Sequence, residues 1–364
     1  FRCAFASLAV SQLQELGKYQ THPQRGWRMS NGDAMTSLPI MMALAAGLAW
    51  LLTARMVGYA KALQLIDHPG HRRSHTQPTP RGGGLAFVVV QVGFMAWLSS
   101  QHGHWVGAMI GLALVATIGF ADDHQPLSAS RRLLVHVAAA VCLLVFAGGV
   151  NAPWWWFALM ALWLVSMTNA WNFMDGINGI AAINAALAFV AYAGVAVSSG
   201  DMAVASMALV AAGAAMGFVP FNFPRSRIFM GDVGSGSLGF LIAALAGMLW
   251  DGNVQSGAIL LFPVLGMTAD AGLTLASRIL RGRRWYAAHR EHLYQWLVRS
   301  GYSHAQVVLG FVAFTMVVAF PPMWIAWSVP SWSGAALFAA MIVATGLWIC
   351  GKRQCLDRVR SGRA

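Results

Sequence analysis

Asn169, Asn172 and Asp175 stand three residues apart at the end of a long apolar run, in the stretch NAWNFMDGINGI (169–180). Amides and carboxylates are costly in hydrocarbon, so they need partners or a purpose there. On a helix the three would share one face, and Gly176 and Gly179 would then break it. Amides that staple neighbouring membrane helices together are the plain alternative.

Four other polar stretches carry compatible chemistry. GFADDHQPLSASRR (119–132) sets Asp122 beside Asp123. Adjacent carboxylates repel unless a cation or proton intervenes, and Mg²⁺ favours one or two carboxylates together with substrate phosphates. Arg131 and Arg132 follow at a spacing suited to an anionic ligand, although a bare aspartate pair serves structure equally often. In FVPFNFPRSRIFMGDVGSGSLGF (218–240), Asp232 lies in a glycine-lined turn at the start of a span, where helix N–H groups favour phosphate. Asn222, Arg225 and Arg227 add polar contacts; helix capping by Asp232 is the simpler use.

IDHPGHRRSHTQPTPRGGGLAF (66–87) gathers Arg72, Arg73, His75 and Arg81 ahead of three glycines. Charge and backbone N–H groups there could hold phosphate, or the loop is a turn carrying topology charges. RILRGRRWYAAHREHLYQWLVRSGY (278–302) puts His289 and His292 three apart, on one helical face with Arg284 or Gln295. A base, or a hydrogen-bonding group for phosphate or nucleotide, suits them better than a metal site. Plain surface histidines are the simpler reading. Asp270, the one acid inside an apolar span, pairs most simply with an inward arginine such as Arg278.

Membrane helices must position these residues. Of 364 residues, 58% are hydrophobic and 10% charged, against about 25% charged in an ordinary soluble domain. Runs long enough to cross a bilayer fall near 38–58, 83–100, 104–121, 132–149, 153–171, 178–199, 202–221, 235–250, 256–277, 304–327 and 332–350. The pattern predicts an all-α integral membrane protein of about eleven transmembrane helices, its site formed by loops and helix ends on one side. Residues 1–34 read as an N-terminal extension ahead of Met35, 35–350 as one polytopic domain and 351–364 as a basic tail. Four cysteines show neither metal spacing nor a disulfide framework.

The net charge of +12 is a topology signal. From Met35 onward every lysine and arginine falls at one side of the span map, which positive-inside bias makes cytoplasmic. A nucleic-acid partner loses its support. Asp67, Asp122, Asp123, Asp175, Asp232 and Glu291 gather on the same side. A transporter or lipid flippase, the rival class, would place functional charge near the midplane and show inverted repeats.

ADDHQPLS, NAWNFMDGINGIA, PFNFPRSRIFMGDVGS and AAHREHLYQWL together resemble the polyprenyl-phosphate N-acetylhexosamine-1-phosphate transferases, in order and over about residues 38–350. The O-antigen-initiating branch is the nearer likeness. The resemblance implies transfer of a sugar-1-phosphate from a UDP-N-acetylhexosamine to undecaprenyl phosphate, with release of UMP. It implies Mg²⁺ as cofactor, Mn²⁺ as a substitute, and the inner membrane of a bacterium as the location, with a homodimer left open.

By the same resemblance Asp232 matches the magnesium-binding aspartate. Asp122 and Asp123 match the paired aspartates, one taking the lipid phosphate's proton or helping to hold metal. Asn169, Asn172, Asp175 and Asn222 match residues near nucleotide and metal, and His289 and His292 the loop histidines. Arg73 or Arg81, and Arg131 or Arg132, supply the basic groups. The chain departs from the pattern at Asn178, where a second acid is usual. A CDP-alcohol phosphotransferase is excluded by its missing DGxxAR signature, since GINGIA follows Asp175.

Overall fold

The computed structural model describes residues 31–67, 78–148, 152–284 and 289–362. The described chain is helical apart from one two-stranded antiparallel pair, β1 (Ile66–Asp67) with β2 (Thr79–Pro80). Seven uninterrupted helices come first: α1 (Asn31–Ala62), α2 (Leu85–Gln101), α3 (Trp105–His124), α4 (Ala129–Phe146), α5 (Trp154–Met174), α6 (Ile180–Ser199) and α7 (Met202–Asn222). The eighth is α8 (Asp232–Leu249).

The last three spans are broken or extended. The ninth is α9 (Val254–Leu261), a 3₁₀ turn at Phe262–Val264 and α10 (Leu265–Leu280); Pro263 lies in that turn and cannot donate a helical hydrogen bond. A short amphipathic helix, α11 (Leu293–Arg299), follows. The tenth span is α12 (His304–Phe314), a π segment over Thr315–Ala319 and α13 (Phe320–Ser328). The final helix, α14 (Ser333–Arg360), continues through GKRQCLDRVR, which the sequence reading assigned to a tail. Ten of these segments are long and apolar enough to cross a membrane, and the 17-residue α2 is a shorter apolar helix. All eleven expected spans therefore have a helical counterpart. The chain is a multi-pass membrane protein.

Small residues set the packing. α7 is buried along much of its length by alanines, and its Gly213 and Gly217 lie against the Met42 and Ala46 carbonyls of α1, where a Cβ would overlap. Close backbone approach of this kind is how helices associate where lipid offers no competing hydrophobic drive. α8 is almost wholly buried, packed by α3, α4's neighbour, on one side and α5 on the other. Gly84, at the entry to α2, crosses Gly234 of α8 so tightly that a Cβ on either would meet the other's backbone.

The segment leading into α2 is zipped to the segment leading into α8. Phe229 N–H donates to Pro80 O (2.8 Å), Gly83 N–H to Phe229 O (2.9 Å) and Gly84 N–H to Met230 O (2.8 Å). This corrects one expectation: the Gly83 and Gly84 amides hold Phe229 and Met230 rather than a phosphate. The glycines serve close approach instead.

Candidate active site

A cavity of about 200 Å³ opens where the basic-side ends of the helices meet. Its wall combines Asp67 and Arg81 from the strand-pair loop, Asp123 from α3, and Asn172 with Asp175 from the end of α5. Asn178, Asn222 and Asp232 complete it, with Gln295 of α11 and His304 of α12. Residues far apart in sequence thus converge on one polar pocket.

The two aspartates of the pair have different surroundings. Asp123 is 3% exposed. Its Oδ1 accepts from the Asp232 N–H (3.0 Å) and its Oδ2 from the Val233 N–H (3.2 Å). It therefore caps α8 from a different helix, supplying negative charge where free amides and the helix dipole favour it. Gly231 makes room for it: φ is +75°, and a Cβ there would overlap the Asp123 carboxylate. Arg81 Nε lies 4.0 Å from Asp123 Oδ1, and its guanidinium also donates to the Asp123 carbonyl.

Asp122 points the other way. Its Oδ1 accepts from the Leu127 N–H (2.5 Å) and its Oδ2 from Arg132 Nη1 (3.1 Å). The same Nη1 donates to Asp232 Oδ2, also at 3.1 Å. Arg132 therefore bridges Asp122 and Asp232. Arg131 is exposed, its backbone N–H on Ser128 at the start of α4. Arg73 lies outside the described residues.

The asparagines of the opening stretch do not share one environment. Asn169 turns away, its amide donating to Val165 O (2.7 Å) and lying 3.3 Å from His136 Nδ1 in α4. Asn172 donates to Ser235 Oγ of α8 (3.0 Å) and lines the pocket. Asp175 sits just past the end of α5, in the pocket wall. Its carboxyl is pushed up to about 8 by burial and then by the Asp232 and Asp123 charges. Asn222 is a staple: it accepts from the Gly179 N–H (2.6 Å) and donates to Ile228 O (2.9 Å), tying two pocket loops together. Asn178 donates to Pro224 O (3.0 Å) in the same junction.

His289 and His292 precede α11 rather than riding on it, with ring centres 4.9 Å apart, and neither lines the pocket. Burial, then the charges of His292 and Arg278, lowers His289 to about 4. The loop reaches the pocket through the next residues. Tyr294 Oη donates to Phe173 O (3.0 Å), and Gln295 both lines the pocket and donates to Tyr294 Oη (3.1 Å).

Asp270 explains that arrangement and corrects a second expectation. It does not pair with Arg278, whose guanidinium binds Glu291. Its oxygens accept instead from the Leu293 N–H (2.7 Å), the Tyr294 N–H (3.1 Å) and Trp348 Nε1 (3.0 Å). Asp270 caps α11 as Asp123 caps α8. Gln295, His304 and Ser235 are pocket residues that sequence reasoning missed. A polar residue at the basic end of a predicted span was the available signal for His304, whose Nδ1 accepts from the Asn178 N–H at 3.4 Å.

The donor set suits a hard divalent cation. Asp67, Asp123, Asp175 and Asp232 line the pocket against one arginine, Arg81, so the cavity is acidic. No cluster of three or more His, Cys, Asp or Glu is arranged as a metal cage among the described residues. Mg²⁺ needs none, since it takes one or two carboxylates and completes its shell with water and phosphate oxygens.

Residues 105–249 match the model of glycosyl transferase family 4. The chain is 30% identical over 359 residues to a decaprenyl-phosphate N-acetylglucosaminephosphotransferase of Mycobacterium tuberculosis, covering 86% of this chain and 88% of that one. It is 29% identical to a probable undecaprenyl-phosphate N-acetylglucosaminyl 1-phosphate transferase of Bacillus subtilis, over 67% of this chain and 72% of that one. A phospho-N-acetylmuramoyl-pentapeptide-transferase of Lacticaseibacillus paracasei is 29% identical, over 76% and 94%.

Proposed function

Since the chain belongs to the polyprenyl-phosphate N-acetylhexosamine-1-phosphate transferase family and is a transferase, we propose that it moves N-acetylhexosamine-1-phosphate from a UDP-sugar to undecaprenyl phosphate. UMP leaves, and the lipid-linked product begins a surface glycan such as O-antigen. The site faces the cytoplasm of a bacterial inner membrane in this reading, and the one-sided lysines and arginines support that orientation. The observation that carries the reading is the convergence of Asp232, Asp175, Asn172 and Arg81 on one pocket at the basic-side ends of the helices. There a lipid phosphate and a water-soluble nucleotide sugar can meet.

An oxygen of the lipid phosphate attacks the phosphorus that bears the sugar. A new P–O bond forms, the bond to the UMP oxygen breaks, and UMP departs with that electron pair. Both reactants are anions, and an acidic pocket would repel them. Bound Mg²⁺ supplies the charge that neutralises phosphate oxygens. Asp232 and Asp175 are the residues to hold it, with Asn172 beside them. Arg132, already between Asp122 and Asp232, adds fixed positive charge. Asp122 holds Arg132 against Asp232 and Asp123 positions Asp232; by the family resemblance one of the pair takes the acceptor's proton.

The test is UMP release by the purified chain with undecaprenyl phosphate, Mg²⁺ and a panel of UDP-N-acetylhexosamines, UDP-N-acetylglucosamine first. Lipid-dependent UMP, abolished by EDTA and by Asp232→Asn, is expected. A folded protein that yields UMP from no donor refutes the reading.

A further inference from the structure

A second cavity, of about 350 Å³, lies between α10, α11, α12 and α14. Its walls are mostly apolar, with Leu297, Phe311, Phe314, Leu347 and Trp348 among them. It begins near the basic face at Tyr302 and runs to Phe314, ten residues into α12 and so about 15 Å deeper. Its depth and walls suit a lipid chain, not a headgroup.

The mouth is cationic. Lys352 Nζ lies 4.0 Å over the Trp348 ring and Arg358 Cζ 4.9 Å over the Tyr302 ring; both rings line the cavity. A cation resting on an aromatic face keeps its outward side available to an anion. Nearby, the Nδ1 atoms of His289 and His292 are buried without a hydrogen-bond partner, and His292 is 4% exposed. The acids of the neighbourhood are already engaged. Glu291 is held by Arg278 and Arg283, while Asp270 takes its backbone and Trp348 donors and lies 3.9 Å from His292 Nδ1.

We propose that this slot binds an anionic phospholipid of the surrounding bilayer. One acyl chain fills the apolar cavity, and the phosphate rests at Lys352 and Arg358. The lipid does not react there, because α11 stands between the slot and the catalytic pocket. Leu293 and Leu297 of α11 face the slot, whereas Gln295 faces the pocket and Tyr294 is bonded to Phe173. A chain in the slot buttresses the helix that carries Gln295.

Native mass spectrometry of the full chain, offered equal phosphatidylglycerol and phosphatidylcholine of matched chains, tests this without reference to any transferase activity. The wild type should retain phosphatidylglycerol preferentially. Lys352→Gln with Arg358→Gln should cut that preference by up to about thirtyfold, from roughly 1 kcal/mol per cation, while total retained lipid changes little. Gly310→Leu should lower retention of both lipids: Gly310 lines the slot and a Cβ there meets no atom within 4 Å, so the side chain occupies space meant for the lipid. Unchanged thermal midpoints establish that the variants are folded. An unaltered headgroup preference in the double variant overturns the proposal, as does unaltered retention in Gly310→Leu. Displacement of the phospholipid by one equivalent of undecaprenyl phosphate would also overturn it and assign the slot to the acceptor.

Discussion

Asp123→Asn and Asp232→Asn should fail in opposite ways. Asp123 gives one oxygen to each of two backbone amides at the start of α8. An asparagine keeps one oxygen, and its NH₂ must then face the N–H of Asp232 or Val233 with no acceptor between. A buried donor left unpaired costs about 1–3 kcal/mol. Losing the charge at the helix N-terminus adds about 0.3–2 kcal/mol. Together they come to about 3 kcal/mol, or up to roughly 10 °C in thermal midpoint at about 2–4 °C per kcal/mol. Asp232 is different: its side chain is 32% exposed and meets Arg132 at the pocket wall. Such a pair contributes about 0–1 kcal/mol, so Asp232→Asn should melt near the wild type. It should nonetheless lose about 10²-fold or more of its turnover, the scale for a group that stabilises developing charge. The assays are a melt in detergent and UMP release across a Mg²⁺ titration. Asp123→Asn should lower the melt and shift the Mg²⁺ requirement far less than Asp232→Asn does. If it melts like the wild type but needs far more Mg²⁺, Asp123 is a metal ligand and the capping argument fails.

Three further outcomes follow from the geometry. Gly119→Ala places a Cβ 2.6 Å from the backbone carbon of Asp232, and should cost about 1–3 kcal/mol through overpacking with a large loss of turnover, read by melt and UMP release. Asn178→Asp replaces the donor to Pro224 O with a carboxylate, so it should destabilise by about 1 kcal/mol and raise the donor KM; an improved KM would show that the usual acid is compatible with this pocket. Glu291 is held below the usual carboxylate range: burial opposes this, but the Arg283 hydrogen bond and the Arg278 charge outweigh it. Its tie is therefore complete above the unfolded value and lost as pH falls through the depressed one, so hydrogen exchange around residues 289–292 should quicken only in acid, and Glu291→Gln should quicken it at neutral pH.

The spans were legible because each is a long apolar run, and the sidedness because lysine and arginine avoid the other loops. The interruptions were not legible to the same degree. Pro263 breaks the ninth span, but the π segment at Thr315–Ala319 has no residue signature beyond the prolines that follow it. At the site, residue types pointed to the right loops and not to the right partners. Asp122 and Asp123 are identical neighbours in sequence, yet successive helical positions point about 100° apart; one meets Arg132 and the other the amides of α8. Asn169 and Asn172 differ by less, and still one turns to His136 and the other to Ser235. His304 escaped notice, and Gln295 was seen only as a neighbour of the histidines, because their meaning depends on where α11 and α12 dock.

Asp123 and Asp270 show why that docking matters. Both are buried acids on spans, and both spend their carboxylates on the first amides of a helix elsewhere in the chain. Free N–H groups at a helix start are an unmet demand, and in a membrane protein water cannot be relied on to meet it. A carboxylate from another span meets it and fixes the helix's position at once. The first such cap places Asp232, the second places Tyr294 and Gln295, and these line or close the same pocket from opposite sides. An acid count of the pocket therefore overstates what is available to a cation. Asp123 is committed to α8, and Asp270, outside the pocket, to α11. Of the four aspartates that line the cavity, Asp67, Asp175 and Asp232 remain, which meets the one or two carboxylates that a phosphate-bound Mg²⁺ asks of a protein.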